Sequence, residues 1–237
     1  MSAVPPVTFV GTVSSTQEVV RTWETASHGA ALVARAQTAG RGRLGRVWVS
    51  APGEALMMSV LLRPMLPPGR LALVSLAAGV ALTDVLGAGF GLKWPNDVLA
   101  EDGRKVAGIL AELESTPQGP VVVLGVGVNV RGAPPLDTAT SLLACGHDTT
   151  PEALANAVRD AILARTDELR RDVDGLLDAW RARSFTLGRT VRVGEVTGVA
   201  VALQPDGALV LRNDAGDHVI RAGDVEMIGA FPHPSRG

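Results

Sequence analysis

The 237-residue sequence predicts an α+β fold: a mixed, largely antiparallel sheet flanked by helices, followed by a small C-terminal β-barrel. Three observations predict it. Apolar runs of strand length alternate with helical ones as far as Gly89. Short turns then join three consecutive strand-like runs, and short connections favour antiparallel neighbours. After Gly188 only short strands and turns remain.

Each element follows from local pattern. Val7 to Val10 reads as a strand. Ser15 to Ser27 reads as a helix, with Ser15 three residues before Glu18 in capping-box spacing and Gly29 ending the run. Ala31 to Ala36 is apolar enough for a buried strand, and Thr38 to Arg46 is a loop rich in glycine and arginine. Leu56 to Leu62 is a strand stopped by Pro64; Leu71 to Leu86 is a helix closed by Gly87 and Gly89. Phe90 to Leu99 is a strand bent at Pro95, Asp102-Gly103 is a hairpin turn, and Lys105 to Leu113 is the next strand. Pro117 to Gly119 turns the chain into Val121 to Val130. Pro151 to Thr166 and Asp167 to Arg183 read as two helices. Val191–Val193, Gly198–Leu203, Leu209–Arg212 and Val219–Arg221 are short strands separated by turns at Asp206-Gly207 and Asn213 to Gly216. The expected organisation is a large domain over 1–187 and a small barrel over 188–237.

Composition narrows the function. A net charge of -2 leaves no global basic field for nucleic acid. One cysteine, Cys145, excludes an intrachain disulfide and suits a reduced cytoplasm. Met1 to Thr12 lacks the flank and apolar stretch of a signal peptide. Leu71 to Leu86 is interrupted by Ser75, Thr83 and Asp84, so the expectation is a core helix and no membrane partner. Of 22 basic residues only two are lysines, Lys93 and Lys105. A compact ammonium and a planar fork are not interchangeable at a tight anionic site, so these two are candidates for work arginine cannot do.

Four segments carry chemistry. In Gln37 to Trp48, Gly40, Gly42 and Gly45 alternate with Arg41, Arg43 and Arg46. Glycine lets backbone approach a ligand, and arginine supplies forked donors for carboxylate and phosphate. In Lys93-Trp94-Pro95-Asn96-Asp97 an ammonium, an amide and a carboxylate meet at a bend, a set able to hold Mg²⁺. In Arg104 to Glu112, Lys105 heads an apolar strand and Gly108 marks a close approach. In Gly125-Val-Gly127-Val-Asn129 two glycines leave one strand face bare, with Asn129 continuing on it. Taken singly, each admits a plainer reading: a solvated basic loop or RNA patch, a Pro-Asn-Asp turn, an edge-strand lysine, or tight packing of strand on helix.

Taken in order, GRGRLGRVW, KWPNDV, RKVAGILAE and GVGVN resemble the catalytic domain of biotin protein ligases. The resemblance is strong over Val7 to Asn129 and looser beyond. It implies the fold of class II aminoacyl-tRNA synthetases and biotin synthetases, with an SH3-like C-terminal barrel. It also implies that Ser15, Thr16, Gln17 (where the family usually has Asn), Gln37, Arg41, Gly42, Arg43, Lys105 and Gly108 bind biotin. Arg41, Arg43, Arg46, Trp48, Lys93, Asn96, Lys105 and Asn129 are implied at ATP. Catalytic work falls to Lys105, Arg41, Arg43 and Asp97, with Asp97 also the candidate Mg²⁺ ligand.

The implied reaction is attack of the biotin carboxylate on the α-phosphorus of MgATP, then transfer of biotin from biotinyl-5′-AMP to a lysine. The implied partner is a biotin carboxyl carrier protein or domain of a biotin-dependent carboxylase. Neither lysine here is flanked by methionine as the acceptor lysine is in such carriers. Members often dimerise through the sheet, so a homodimer is among the implied states. Because the catalytic segment begins within about fifteen residues of Met1, a helix-turn-helix domain and repressor activity are not expected. The rival readings are a lipoate ligase or octanoyltransferase of the same fold, and a non-catalytic biotin-binding regulator.

Overall fold

The computed structural model describes residues 4–23, 25–116, 119–229 and 231. Among them, seven strands form one sheet and five form a second. In chain order the first sheet contains β1 (Thr8–Val13), β2 (Ala31–Gln37), β3 (Ala55–Leu62), β4 (Phe90–Lys93), β5 (Asp97–Ala100), β6 (Lys105–Thr116) and β7 (Gly119–Asn129). Its spatial order is β1-β2-β3-β7-β6-β5-β4. Only β1 and β2, joined through helix α1 (Thr16–Arg21), run parallel; every other pair is antiparallel, as the short turns require.

The two faces of this sheet differ. One is covered by α2 (Val74–Leu86), α3 (Pro151–Arg171) and α4 (Val173–Ala182), and receives Val122, Leu124, Val126 and Val128 of β7. The other is covered at one end by α1, over Val20, Leu32, Leu61, Val121 and Val123. The rest of that second face forms the cleft described below. Strand β3 lies between the layers and is buried at all eight positions. A run of 18 residues, Gly69–Leu86, is long and apolar enough to cross a membrane, yet α2 within it packs against α3, β4 and β6.

Several elements differ from their sequence expectation. Helix α1 ends at Arg21 rather than Ser27, and Glu24 lies outside the described residues. Ser15 occupies the N-cap without making a side-chain cap bond; the hydroxyl of Ser14 instead donates to Glu18 at 2.7 Å. The single strand expected over Phe90 to Leu99 is two strands separated at a cis Trp94–Pro95 bond. The helix expected to start at Leu71 begins as a 3-10 turn over Pro68–Leu73. The break between the last two helices falls at Asp172, whose carboxylate caps α4 at the N–H of Gly175, 2.9 Å away. Of the expected Pro117 to Gly119 turn, Pro117 and Gln118 lie outside the described residues.

The second sheet contains β8 (Thr190–Val193), β9 (Val196–Leu203), β10 (Leu209–Asn213), β11 (Gly216–Ile220) and β12 (Glu226–Met227), in the order β11-β10-β9-β8-β12 and antiparallel throughout. The two-residue β12 carries no sequence signal of its own. Residues following α4 bind the edge of β4: Leu92 exchanges backbone bonds with Arg183 and Phe185, both at 2.8 Å. The indole N–H of Trp94 donates to the Gly207 carbonyl at 2.9 Å, tying the second sheet to the first.

Candidate active site

Registry builds the cleft. Gly127 lies opposite Met57 on one side and Gly108 on the other; Gly125 lies opposite Ser59 and Leu110. Side chains alternate across a sheet, so Gly108, Gly125, Gly127 and Asn129 share the face not covered by α2. The bare strip is a bed for side chains of the chain itself. The Trp48 ring lies on it so closely that a Cβ at Gly127 would stand 2.6 Å from Trp48 Cε2, and one at Gly125 2.7 Å from Gln17 Cδ. Gln17 of helix α1 covers Gly125 and the Trp48 ring covers Gly127, while both glycines still line the cleft.

A cleft of about 320 Å³ opens above this bed. Fourteen of the fifteen expected site residues line it: Ser15, Thr16, Gln17, Gln37, Arg41, Gly42, Arg43, Arg46, Trp48, Asn96, Asp97, Lys105, Gly108 and Asn129. Lys93 is the exception. It pairs with Asp97 across the β4–β5 hairpin without lining the cleft. Burial holds its ammonium below the usual lysine range; Asp97 opposes that shift, and Lys105 and Arg46 add to it.

One end of the cleft is built by α1. Thr16 donates to Gln37 Oε1 from its backbone N–H at 2.6 Å and from its hydroxyl at 3.1 Å, and itself accepts from Ser59 at 2.8 Å. These bonds fix the amide of Gln37 so that its NH₂ group turns toward Gly40. Gln17 is 3% exposed, and its Nε2 is shared among Leu110 O, Glu112 Oε2 and Val123 O at 3.0–3.4 Å. With its NH₂ so committed, Gln17 offers the cleft an acceptor oxygen.

At the other end, Lys105 donates to Asp97 Oδ1 at 2.6 Å and lies 5.9 Å from the centroid of the Trp48 ring. Two buried polar atoms here have no partner, the indole N–H of Trp48 and Asn129 Oδ1. Asn129 spends its NH₂ on Thr140 O at 2.9 Å. An unpaired buried donor or acceptor costs about 1–3 kcal/mol, so such a pair beside a cleft suits a ligand that supplies the complement.

The Gly-Arg loop closes the cleft from above. Its arginines are held by β6 and by the Gly223–Asp224 segment. Arg41 makes two bonds to Glu112 at 2.8 and 3.0 Å; Arg43 donates to Asn96 Oδ1 at 3.0 Å and to Gly223 O at 3.3 Å; Arg46 pairs with Asp224. Burial lowers the Arg43 guanidinium, with Asp97 opposing and Arg46 adding. Glu112 and Asp224 were not among the expected site residues. Glu112 ends the third motif and shares the face of Gly108 by period two, a usable signal; Asp224 sits in an irregular stretch with none.

Among the described residues no group of three or more His, Cys, Asp or Glu is placed to hold a metal. The carboxylate of Asp97, with Oδ1 on Lys105, is the acidic group beside the lysine at this end. One carboxylate fits Mg²⁺ that arrives on phosphates and keeps its waters, and does not fit a metal held by protein ligands alone.

Comparison with known proteins agrees with this geometry. Residues 10–129 match the model of the Biotin/lipoate A/B protein ligase family, and residues 186–227 match the Biotin protein ligase C terminal domain. The chain is similar to the biotin--[acetyl-CoA-carboxylase] ligase of Mycobacterium tuberculosis, with 41% identity over 83% of this chain and 78% of that one. It is also similar to the ligase of that name from Paracoccus denitrificans, 38% identical over 84% of this chain and 90% of that one. Among solved structures, a biotin protein ligase from Aquifex aeolicus in complex with biotin and ATP superposes with a TM-score of 0.78 and 30% identity. That match covers 93% of this chain and 97% of the other.

Proposed function

The chain belongs to the Biotin/lipoate A/B protein ligase family, and we propose that it activates biotin with ATP and transfers it to a lysine of a biotin carboxyl carrier protein. One observation carries this reading: four motifs spread over more than ninety residues converge on a single cleft that holds both anion-binding and amide-reading groups. The small carboxylate-bearing substrate fits the end lined by Ser15, Thr16, Gln17 and Gln37, where a fixed acceptor and a fixed donor can read a ureido ring. ATP fits the end lined by Trp48, Asn96, Lys105 and Asn129, whose unpaired oxygen accepts from an amino group.

The first step joins a biotin carboxylate oxygen to the α-phosphorus and expels pyrophosphate. Two anions must meet, and Lys105 with Arg43 is placed to offset their repulsion and the charge of the transition state. Asp97 orients Lys105 in the free enzyme and would hold Mg²⁺, which supplies further charge neutralisation on the phosphates when bound. The Gly-Arg loop keeps water from the mixed anhydride. In the second step the acceptor amine attacks the biotinyl carbonyl, AMP leaves, and the amine loses a proton. We divide the chain functionally into 1–187, which carries the chemistry, and 188–237, which contributes Asp224 to the loop.

Pyrophosphate release from ATP and Mg²⁺, with biotin beside lipoate, tests the reading in wild type and Lys105→Ala. Biotin-dependent release that drops at least 100-fold in the variant is expected, the usual scale for removing one transition-state charge. Release with lipoate and none with biotin would transfer the chain to the lipoate branch of the family.

A further inference from the structure

The Gly-Arg loop presents an energetic problem. Three glycines make it costly to order. Trp48 anchors its end on the glycine strip, but the other apolar residues do not offset that cost, because Leu44, Val47 and Val49 are 73, 66 and 62% exposed, and Leu44 adopts a left-handed conformation with φ 54°. Polar clasps must therefore hold the part that precedes Trp48. The best formed of these is on Glu112. Both carboxylate oxygens meet the fork of Arg41, and the same group accepts from Arg21 at 2.8 Å and from Gln17 at 3.0 Å. The Arg41 and Glu112 side chains are 35 and 21% exposed, against 65 and 35% for Arg46 and Asp224. A bidentate, partly desolvated pair is the kind of ion pair that holds a geometry.

We propose that Glu112 is a positioning residue that clasps Arg41 and holds the Gly-Arg loop over the cleft before any substrate arrives. Through Gln17 the same carboxylate links the loop to α1, at the end of the cleft that α1 builds. Arg41 acts on the loop rather than on the reacting anions, because its fork is occupied. The inference deepens the ligase reading and rests on it only for its kinetic consequence.

The test is amide hydrogen exchange of residues 40–48 without ligand, in wild type, Glu112→Gln, Arg41→Gln and the double variant. Each single variant is expected to lose about tenfold protection, the scale of one charge-assisted bond, and the double variant no more than either. Wild-type protection in Glu112→Gln, or additive losses in the double variant, would overturn the proposal. Should Glu112→Gln fail to fold, unchanged protection in Arg41→Gln overturns it equally. With biotin and ATP but no carrier, Glu112→Gln should also shed more free biotinyl-adenylate, with KM for biotin rising more than kcat falls, and Glu112→Asp should restore part of the effect. A merely structural role would not produce that split. Because the exchange is read without ligand, it decides the clasp even if wild type releases no pyrophosphate, an outcome that sinks the ligase reading separately.

Discussion

Gly127→Ala places one methyl group beneath the Trp48 ring, which supplies the three atoms nearest to it. Gly127 has no left-handed φ, so alanine fits its backbone. The new Cβ would stand 2.6, 2.7 and 2.9 Å from three ring atoms of Trp48. Carbon atoms settle about 3.5–4.0 Å apart, so the ring must retreat by about 1 Å. Overpacking costs about 1–3 kcal/mol, and replacing glycine by alanine in a compatible strand returns about 0.4–1 kcal/mol. The net loss of stability is then roughly 0.5–2 kcal/mol, well within what a domain tolerates. The kinetic effect is larger. A displacement of about 1 Å near the reacting atoms costs on the order of 10²-fold, and Trp48 lies beside Lys105 in the cleft that Asn129 also lines. The assay is pyrophosphate release under varied ATP and varied biotin, with urea unfolding alongside. In Gly127→Ala, kcat/KM for ATP should fall about 10- to 100-fold. Gly125→Ala, which meets Gln17 instead, should raise KM for biotin more than for ATP. Wild-type kinetics in Gly127→Ala, or identical changes in both variants, would refute the placement of Trp48.

Two further expectations concern stability. Trp94→Phe removes the bond from the indole to Gly207 O and should cost about 1–2 kcal/mol in urea unfolding, with the second sheet losing exchange protection first; equal protection loss in both sheets would count against the tie. Burial keeps His28 below the usual histidine value of 6.5, with Asp167 opposing and Arg63 adding, and its neutral Nδ1 accepts from the Arg63 N–H at 2.9 Å. Below pH 6.5 the unfolded chain therefore binds a proton that the folded chain resists. This stability is full above pH 6.5 and is lost as pH falls through the folded value. Melting curves from pH 7 to pH 5 should drop more steeply in wild type than in His28→Gln, and parallel slopes would contradict the assignment.

The sequence was most legible where local chemistry was dense. Alternating Gly and Arg, the break at Pro95, the lysine heading β6 and the two glycines of β7 marked the cleft, because each departs from what a plain strand or turn needs. Less was legible where a distant partner decides the outcome. Asp167 looked like a helix start but pairs with Arg170 and Arg171 inside α3, while Asp172 caps the next helix. Ser15 and Glu18 had capping-box spacing, yet Glu18 is taken by Ser14. The bare glycine strip looked like a floor for a ligand; only tertiary folding reveals that Trp48 and Gln17 lie on it. Glu112 and Asp224 clasp the loop from 71 and more residues away, a relation that no spacing encodes.

The most direct test of the account is single-turnover transfer. Enzyme loaded with biotin and ATP is freed of excess nucleotide, mixed with a purified carrier domain, and the carrier is read by mass spectrometry. The account predicts one biotin added per carrier, in amide linkage to its lysine, with release of one AMP. Consumption of ATP with AMP and free biotin as the only products, and an unmodified carrier, would contradict it.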